Sequence, residues 1–246
     1  MTVLILGGTA EARALAAELD RRGAAFLSSL AGRVSRPRLP VGEVRIGGFG
    51  GADGLAAFLT AEQVGAVVDA THPFAVGMRA NAVAACAQTA VPLLRLARPG
   101  WAGTAGADDW LWVGDMAEAA AAAAKAQETV FLSTGRQTLD AFTGPLADKK
   151  VLVRVVEPLD DPVPGSWTVI HTRGPFTAET ERELMAEHAV RTLVTKDSGG
   201  DYTRAKLDVA AERGAQVIVV RRPAPPAGMI EVDTVAAAAD WVSARR

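Results

Sequence analysis

A repeated alternation of short β-rich runs with longer helix-forming runs is the feature that most constrains the fold of this chain. The first strand is expected over 3–6 and the first helix over 10–22. Parallel strands need long crossover connections, usually helices, and these cover both faces of the sheet. The alternation therefore predicts an α/β protein built on parallel sheets.

The same pattern continues through the rest of the chain, with one interruption. Further strands are expected over 25–29, 44–46, 66–69, 93–96, 110–113, 129–132, 151–155, 168–170, 192–195 and 217–220. Further helices are expected over 52–60, 75–88, 116–126, 177–188, 202–213 and 235–243. Residues 98–109 hold Pro99 and three glycines, which is typical of a linker. We therefore expect two domains, over 1–98 and 99–246.

Charge and composition restrict the classes of partner. Lysine and arginine total 26 against 28 aspartates and glutamates, a net charge of -2, which argues against bulk nucleic-acid binding. Cys86 is the only cysteine, so no intrachain disulfide can form. No apolar run approaches the roughly 18 residues of a membrane span, and no signal peptide is visible. We expect a soluble, cytoplasmic protein without nucleic-acid or membrane partners, and a monomer is compatible with these features.

A glycine turn joins the first strand to the first helix. In the G-x-G-x-x-G/A pattern of dinucleotide sites, Gly7 takes the first place, Ala12 the last, and Thr9 replaces the middle glycine. Such a turn directs backbone N–H groups and a helix N-terminus at phosphate. The expected cofactor-binding residues here are Gly7, Gly8, Thr9, Ala10 and Glu11. A turn without a ligand is the alternative.

A missing carboxylate indicates which dinucleotide is bound. Sites specific for NAD usually carry an acidic residue about 20 residues after the glycines, whereas residues 21–42 contain none. The second expected strand ends in Ser28 and Ser29, and Arg33 follows. Hydroxyl and guanidinium groups suit the 2′-phosphate of NADPH. The alternative is a solvated basic loop.

Two more loops of the first half follow expected strands. Five residues at 47–51 include four glycines, which suits either close approach to a ligand or a mobile flap; Gly48 and Phe49 are the candidates. Thr71 and His72 follow the strand at 66–69. His72 is a candidate cofactor ligand or proton relay, with a purely structural histidine as the alternative.

Basic and hydroxyl residues recur after strands of the second half. Ligands of open α/β sheets lie beyond the carboxyl ends of the strands. Any one of these charges is ordinary on a surface, but their recurrence favours a site for a multiply charged acidic substrate. The expected substrate-binding residues are Thr134, Arg136, Arg173, Lys196, Ser198, Gly199, Arg204 and Lys206.

The sequence lacks the motifs of metal sites, serine hydrolases and P-loop proteins. His72, His171, His188 and Cys86 have no metal-ligand spacing, so no metal site is expected. The G-x-S-x-G elbow of many hydrolases and the Walker sequence of P-loop proteins do not occur.

Several segments together resemble the precorrin-6A reductase family of cobalamin biosynthesis, over almost the whole chain. The segments are 6–12 (LGGTAEA), 69–75 (DATHPFA), 94–99 (LRLARP), 134–136 (TGR) and 195–200 (TKDSGG). The resemblance implies two Rossmann-like domains with the active site in the cleft between them. It also implies hydride transfer from NADPH to a ring double bond of precorrin-6A, a macrocycle bearing many carboxylates.

The resemblance leaves open the form of the substrate, the hydride donor and the proton donor. In the anaerobic pathway the related substrate carries cobalt and NADH can be the donor; the missing carboxylate after the second strand favours NADPH and the metal-free substrate. The proton that follows the hydride has three candidate donors besides bulk water, namely His72, Tyr202 and Lys196.

Three other functions compete with this one. The first is a non-catalytic NADP sensor, which needs the glycine turn but not the basic loops. The second is a reductase of another small anionic or carbonyl substrate; Tyr202 and Lys206 have the Tyr-x-x-x-Lys spacing of short-chain dehydrogenases, although they lie far down the second half. The third is a structural interaction protein, against which the glycine loops argue.

Overall fold

The computed structural model describes residues 1–32 and 36–245. The chain forms two compact units, one made of Met1–Pro99 with Pro223–Arg246 and the other of Gly100–Arg222. Each unit contains one six-stranded sheet, and the strand pairs within both sheets are parallel. The expected fold class, two parallel-sheet α/β domains, is confirmed.

The elements follow one another in strict alternation through most of the chain. The first unit begins with β1 (Thr2–Leu6), α1 (Ala10–Arg21), β2 (Phe26–Leu30), β3 (Glu43–Ile46), α2 (Ala52–Ala61), β4 (Val64–Asp69), α3 (Val76–Thr89) and β5 (Leu93–Leu96). The second unit contains β6 (Leu111–Val113), α4 (Met116–Ala123), β7 (Thr129–Leu132), α5 (Asp140–Thr143), β8 (Val151–Val155), β9 (Trp167–His171), α6 (Ala178–Glu187), β10 (Val190–Lys196), α7 (Ala205–Glu212) and β11 (Gln216–Val220), with 3-10 helices at Ala107–Asp109 and Arg136–Thr138. The chain then returns to the first unit as β12 (Ile230–Val232) and α8 (Val235–Ser243).

The two sheets share the order of five strands; the sixth, at one edge, follows the other five along the chain in the first sheet (β12) and precedes them in the second (β6). The first is β12-β5-β4-β1-β2-β3 and the second is β6-β11-β10-β7-β8-β9. In both, the chain runs outward from a central strand to one edge and then crosses back to the other side. The order reverses between β1 and β4 in the first sheet and between β7 and β10 in the second. Such a reversal, at the carboxyl ends of the strands, is where open α/β sheets bind ligands.

Burial on both faces explains why the strands are continuous apolar runs. In β1, Val3 and Ile5 pack into a cluster that includes Leu15 of α1 and Val242 of α8. Leu4 and Leu6 point to the opposite face and join a cluster with residues of α2 and α3. The alternation of side chains along a strand thus places one helical layer on each side of the sheet.

The end of the chain differs from the expected domain division. The first boundary agrees within one residue, but residues 223–245 lie in the first unit, not the second. Ile230 pairs with Leu94, so β12 forms the edge of the first sheet. Ala238 and Val242 of α8 are fully buried in its core. Burial of these apolar side chains holds the carboxyl-terminal segment in the first unit.

One expected helix begins later than its sequence suggested. The helix expected over 202–213 begins at Ala205, and residues 201–204 form a turn. Tyr202 therefore lies outside α7, whereas Lys206 lies in its first turn, so the two residues do not share one helix as the short-chain dehydrogenase pair does.

Candidate active site

At the switch point of the first sheet, where the strand order reverses between β1 and β4, hydrogen bonds connect the turn after β1 with the loop after β4. The Gly7 N–H donates to the Ser29 carbonyl at 2.9 Å, and the Ala70 N–H donates to the Leu6 carbonyl at 2.9 Å. The Thr9 hydroxyl donates to the Ala70 carbonyl at 2.7 Å and accepts from the Ala12 N–H at 3.1 Å. Thr9 takes the place of the middle glycine in the G-x-G-x-x-G/A pattern. Its hydroxyl caps α1 and also bonds the glycine turn to the loop after β4.

The glycine turn has the features of an anion site. Gly8 has a φ of 111°, which favours glycine, and a Cβ there would meet open space. An α-helix leaves its first N–H groups without intrahelical acceptors; since Thr9 caps Ala12, the N–H groups of Ala10 and Glu11 are the donors suited to phosphate. The Glu11 carboxylate is 2.5 Å from an Arg98 guanidinium nitrogen, which offsets its negative charge.

The hydroxyls expected at the end of the second strand lie inside the sheet. Leu30 continues β2 past Ser29, so the expected strand end was one residue short. Ser28 and Ser29 are 1% and 5% exposed. The Ser28 hydroxyl makes no hydrogen bond within the part of the chain that the structure describes. This burial argues against a direct contact of Ser28 with a 2′-phosphate.

The basic residues after β2 are placed only in part. Arg33 lies outside the described residues, so its role stays a prediction. Arg36 and Arg38 follow it and are exposed. The segment from 21 to 42 therefore carries exposed cations and no acidic residue.

The glycine loop after β3 is held by an arginine. Arg45 donates to the carbonyls of Gly47 and Gly48 at 2.6 and 2.8 Å. Its guanidinium carbon lies 4.0 Å from the centroid of the Phe49 ring, an arrangement that stabilises a cation on an aromatic face. The loop was expected either to approach a ligand closely or to form a mobile flap. These contacts hold it in one conformation and so argue against the flap.

A buried ion pair lies beneath the loop after β4. Asp69, the last residue of β4, is 3.3 Å from Nε of Arg79 in α3, with both side chains almost fully buried. Asp69 accepts hydrogen bonds from the Thr71 N–H at 3.0 Å and from its hydroxyl at 2.5 Å. Nδ1 of His72 accepts from the Phe74 N–H at 3.3 Å, so the proton of the neutral ring is on Nε2.

The switch point of the second sheet is built on similar glycine turns. The Ser133 N–H, just after β7, donates to the Val194 carbonyl of β10 at 3.0 Å. Gly135 has a φ of 84°, and Gly199 has a φ of 66°. The hydroxyl of Thr134, which directly precedes Gly135, is buried and makes no hydrogen bond among the described residues.

Three expected basic residues lie at carboxyl ends of strands in this sheet. Arg136 follows β7 and contacts the Pro158 carbonyl at 3.2 Å and Asp160 at 3.4 Å. Lys196 ends β10, and burial lowers the pKa of its ammonium group. Arg173 follows β9, two strands from β7, and lies 3.9 Å from Glu157. The loop after β7 carries Thr134 and Arg136, and the end of the adjacent strand β10 carries Lys196, Ser198 and Gly199; Arg173 follows β9 on the same sheet.

Three other candidates are not placed at a strand end. Arg204 lies in the turn before α7 and pairs with Asp208 at 3.1 Å. Lys206 is 5% exposed, and its ammonium lies 5.4 Å from the centroid of a Trp101 ring. Tyr202 is 45% exposed. Burial against Trp101 argues against Lys206 as a direct ligand of substrate.

Sequence reasoning missed the residues that hold these loops. Arg45, Asp69 and Arg79 were not among the candidates, although each fixes a loop that was. A signal was present for Arg79, because it is the only charged residue of α3 and so stands alone on an otherwise uncharged helix. A lone charge that is buried with the apolar side of such a helix needs a partner, and the nearest acidic residue in the chain is Asp69.

Two further features concern residues 1–32 and 36–245, the part of the chain that the structure describes. In that range no three histidine, cysteine, aspartate or glutamate side chains cluster in a way suited to a metal ion. Among the helices that the structure describes, none has both the length and the apolar character that a membrane crossing requires.

Comparison with known proteins gives a consistent result. Residues 2–243 match the model of the family described as precorrin-6x reductase CbiJ/CobK. A precorrin-6A reductase of Rhodococcus erythropolis is 49% identical over 98% of this chain and 96% of its own length. A cobalt-precorrin-6A reductase of Priestia megaterium is 33% identical over 90% of each chain.

A solved structure extends the likeness from sequence to fold. The structure titled "CobK precorrin-6A reductase" superposes with a TM-score of 0.93 at 41% identity, covering 100% of this chain and 97% of the other. The chain therefore belongs to the precorrin-6x reductase family.

Proposed function

We propose that this protein reduces a ring double bond of precorrin-6A with NADPH, giving the dihydro product in cobalamin biosynthesis. The observation that carries the proposal is the full-length likeness in sequence and fold to precorrin-6A reductases. Relatives named for the metal-free substrate reach 49% identity, against 33% for a relative named for the cobalt form. This difference supports the metal-free macrocycle as substrate.

The first unit is the proposed cofactor site. Bound NADPH would supply the hydride, and the protein would supply position and electrostatics. The fit rests on the open space at Gly8 and on the N–H groups of Ala10 and Glu11 at the start of α1. Gly48, Phe49, Thr71 and His72 follow strands of the same sheet and are the other proposed contacts.

Preference for NADPH is proposed from charge. A carboxylate at the end of the second strand would accept hydrogen bonds from the ribose hydroxyls of NADH and repel a 2′-phosphate. This chain has none between residues 21 and 42 and instead carries Arg33, Arg36 and Arg38. Guanidinium groups bind phosphate through paired hydrogen bonds.

The second unit is the proposed site for substrate carboxylates. Arg136 and Lys196 lie at adjacent strand ends, and Arg173 lies on the same edge. Thr134 and the turn at Ser198 and Gly199 add a hydroxyl and backbone groups beside them. Arg136 lies 3.4 Å from the exposed Asp160, and a substrate carboxylate would compete with Asp160 for this guanidinium.

The proton that completes the reduction has more than one proposed source. A lowered pKa makes Lys196 a readier proton donor than an ordinary lysine. His72 and the accessible Tyr202 are the other proposed donors, and bulk water is the remaining source. We further propose that the enzyme is cytoplasmic, in keeping with a single buried cysteine, and that it is a monomer.

Binding titrations test the cofactor assignment. In Arg33→Ala the dissociation constant for NADPH should rise about tenfold, the effect of one lost charged hydrogen bond, whereas that for NADH should stay unchanged. Arg191→Ala, which removes an exposed arginine of the second unit, is the matched control. An equal change for both nucleotides, or no change, would refute the assignment.

Steady-state kinetics test the substrate assignment. Arg136→Gln should raise KM for precorrin-6A and leave KM for NADPH unchanged, with Arg191→Gln as the control. A non-catalytic NADP sensor predicts tight NADPH binding without turnover, and its function would not depend on Arg136.

A further inference from the structure

The ion pair between Asp69 and Arg79 does more than fill the core of the first unit. We infer that Arg79, together with Asp69, is a positioning residue that holds the loop at residues 70–75 in the conformation that binds the nicotinamide cofactor. This inference rests on the proposed function and assigns a role to two residues that do not touch the cofactor themselves.

The contacts of the pair converge on one loop. Arg79 Nη2 donates to the Pro73 carbonyl at 3.0 Å and to the His72 carbonyl at 3.5 Å. Asp69 Oδ1 accepts hydrogen bonds from both the N–H and the hydroxyl of Thr71. Asp69 Oδ2 and Arg79 Nε are 3.3 Å apart, at ion-pair distance but without hydrogen-bond alignment. The pair therefore contacts three consecutive residues, Thr71, His72 and Pro73.

Stability alone does not account for such a pair. Asp69 and Arg79 are 1% and 2% exposed, so both charges have lost almost all of their hydration. The cost of that desolvation largely offsets the attraction, and well-packed apolar residues of similar size often stabilise a fold as much or more. What apolar residues cannot replace is the set of hydrogen bonds to the backbone of this loop.

The loop joins the end of β1 and the glycine turn through Ala70, whose N–H donates to the Leu6 carbonyl at 2.9 Å and whose carbonyl accepts from the Thr9 hydroxyl at 2.7 Å. Beyond Ala70, the orientation of the His72 ring depends on the loop backbone, since its Nδ1 accepts from the Phe74 N–H. Loss of the Arg79 contacts would therefore displace Thr71 and His72 while the phosphate-binding turn at Gly7–Thr9 keeps its own hydrogen bonds.

The double variant Asp69→Asn with Arg79→Met tests the inference. Asparagine keeps an oxygen that accepts from Thr71, and methionine fills space without donating to the two carbonyls. Because neither residue leaves a buried charge unpaired, the fold should be retained. We expect the dissociation constant for NADPH to rise about tenfold, KM for precorrin-6A to stay within twofold, and hydrogen exchange at residues 71–75 to accelerate.

The second unit offers a matched control. Arg154 and Glu181 form another buried ion pair, so Arg154→Met with Glu181→Gln makes the same chemical change away from the cofactor unit. This variant should bind NADPH like the wild type. Arg79→Lys, which keeps the charge but not the planar fork of donors, should bind NADPH with intermediate affinity.

Each outcome has one meaning. Weaker NADPH binding by the Asp69/Arg79 double variant, with the melting temperature and the KM for precorrin-6A near those of the wild type, supports positioning. Unchanged NADPH binding overturns it. A parallel loss of stability and of affinity for both ligands also overturns it, because it shows general damage. Failure of the wild type to bind NADPH would instead refute the proposed function.

Discussion

Substitution of Thr9 by valine tests whether the glycine turn and the loop after β4 form one unit. Valine keeps the shape of threonine but removes the hydroxyl, so two hydrogen bonds are lost. One caps α1 through the Ala12 N–H at 3.1 Å. The other joins Thr9 to the Ala70 carbonyl at 2.7 Å in a buried position.

The expected loss in the free energy of unfolding is the sum of the contributions of these two hydrogen bonds. Removing an N-cap hydroxyl costs about 1 kcal/mol. Removing a donor from a buried carbonyl costs about 1 to 3 kcal/mol, since the carbonyl is left without its partner. Thr9→Val should therefore lower the free energy of unfolding of the first unit by about 2 to 4 kcal/mol, and Thr9→Ser should lose much less.

Thr234 supplies the internal control. Its hydroxyl caps α8 through the Ala237 N–H at 3.2 Å, in the same unit and at an exposed position. Thr234→Val should cost about 1 kcal/mol, the capping term alone. The difference between the two valine variants isolates the bond between Thr9 and Ala70.

Hydrogen exchange along a urea titration is the suitable assay, because protection of β1 and β4 reports the first unit separately from the second. Equal losses in Thr9→Val and Thr234→Val would refute the coupling of the two loops. A loss in Thr9→Ser as large as in Thr9→Val would show that the hydroxyl is not the stabilising group.

Three further predictions concern buried titratable groups. Burial raises the pKa of the Cys86 thiol to about 11, so at pH 8 iodoacetamide should label the native protein far more slowly than the urea-unfolded chain; equal rates would contradict this burial. Burial lowers the pKa of Lys196 below its ordinary value of 10.5, so the folded state disfavours the ammonium form; Lys196→Met should raise the free energy of unfolding at neutral pH, and the gain should shrink as the pH approaches 10.5. A gain that does not depend on pH would show a packing effect instead. Glu181→Gln leaves the buried Arg154 unpaired and should cost about 3 to 5 kcal/mol in urea denaturation, and adding Arg154→Met should recover most of it; no recovery would mean that the charge is not the cause.

The strands and helices were predictable because they bury continuous apolar faces. Val3 to Leu6 is apolar without interruption, which is what a strand covered on both faces requires, and helices such as the one ending at Ser243 carry clear small and apolar stripes. Local pattern therefore located most elements within a few residues.

The return of the chain to the first unit was not predictable by the same means. β12 has only three residues, Ile230–Val232, and two of them are exposed, so no buried run marks it. Its position depends on pairing with β5, a contact between segments more than 130 residues apart that has no local signature. Tertiary pairing, not composition, assigned residues 223–245 to the first unit.

For the candidate site too, the local sequence predicted some features, whereas others depend on tertiary contacts. The loops that carry Thr9, His72, Arg136 and Lys196 could be proposed from sequence because ligands of α/β folds lie at the carboxyl ends of strands. The residues that hold those loops were missed, since Arg45 and Arg79 act through contacts that only the folded chain reveals. Ser28 and Lys206 were expected to face a ligand, and their burial could not be predicted from the local sequence.

The most direct test of the central claim is NADPH oxidation by the purified protein under anaerobic conditions, with and without precorrin-6A and with NADH in parallel. The account predicts oxidation only when precorrin-6A and NADPH are both present, with NADH a much poorer donor. Tight NADPH binding without oxidation would contradict the proposed reaction, and preferential use of NADH would contradict the assignment of the basic loop after β2.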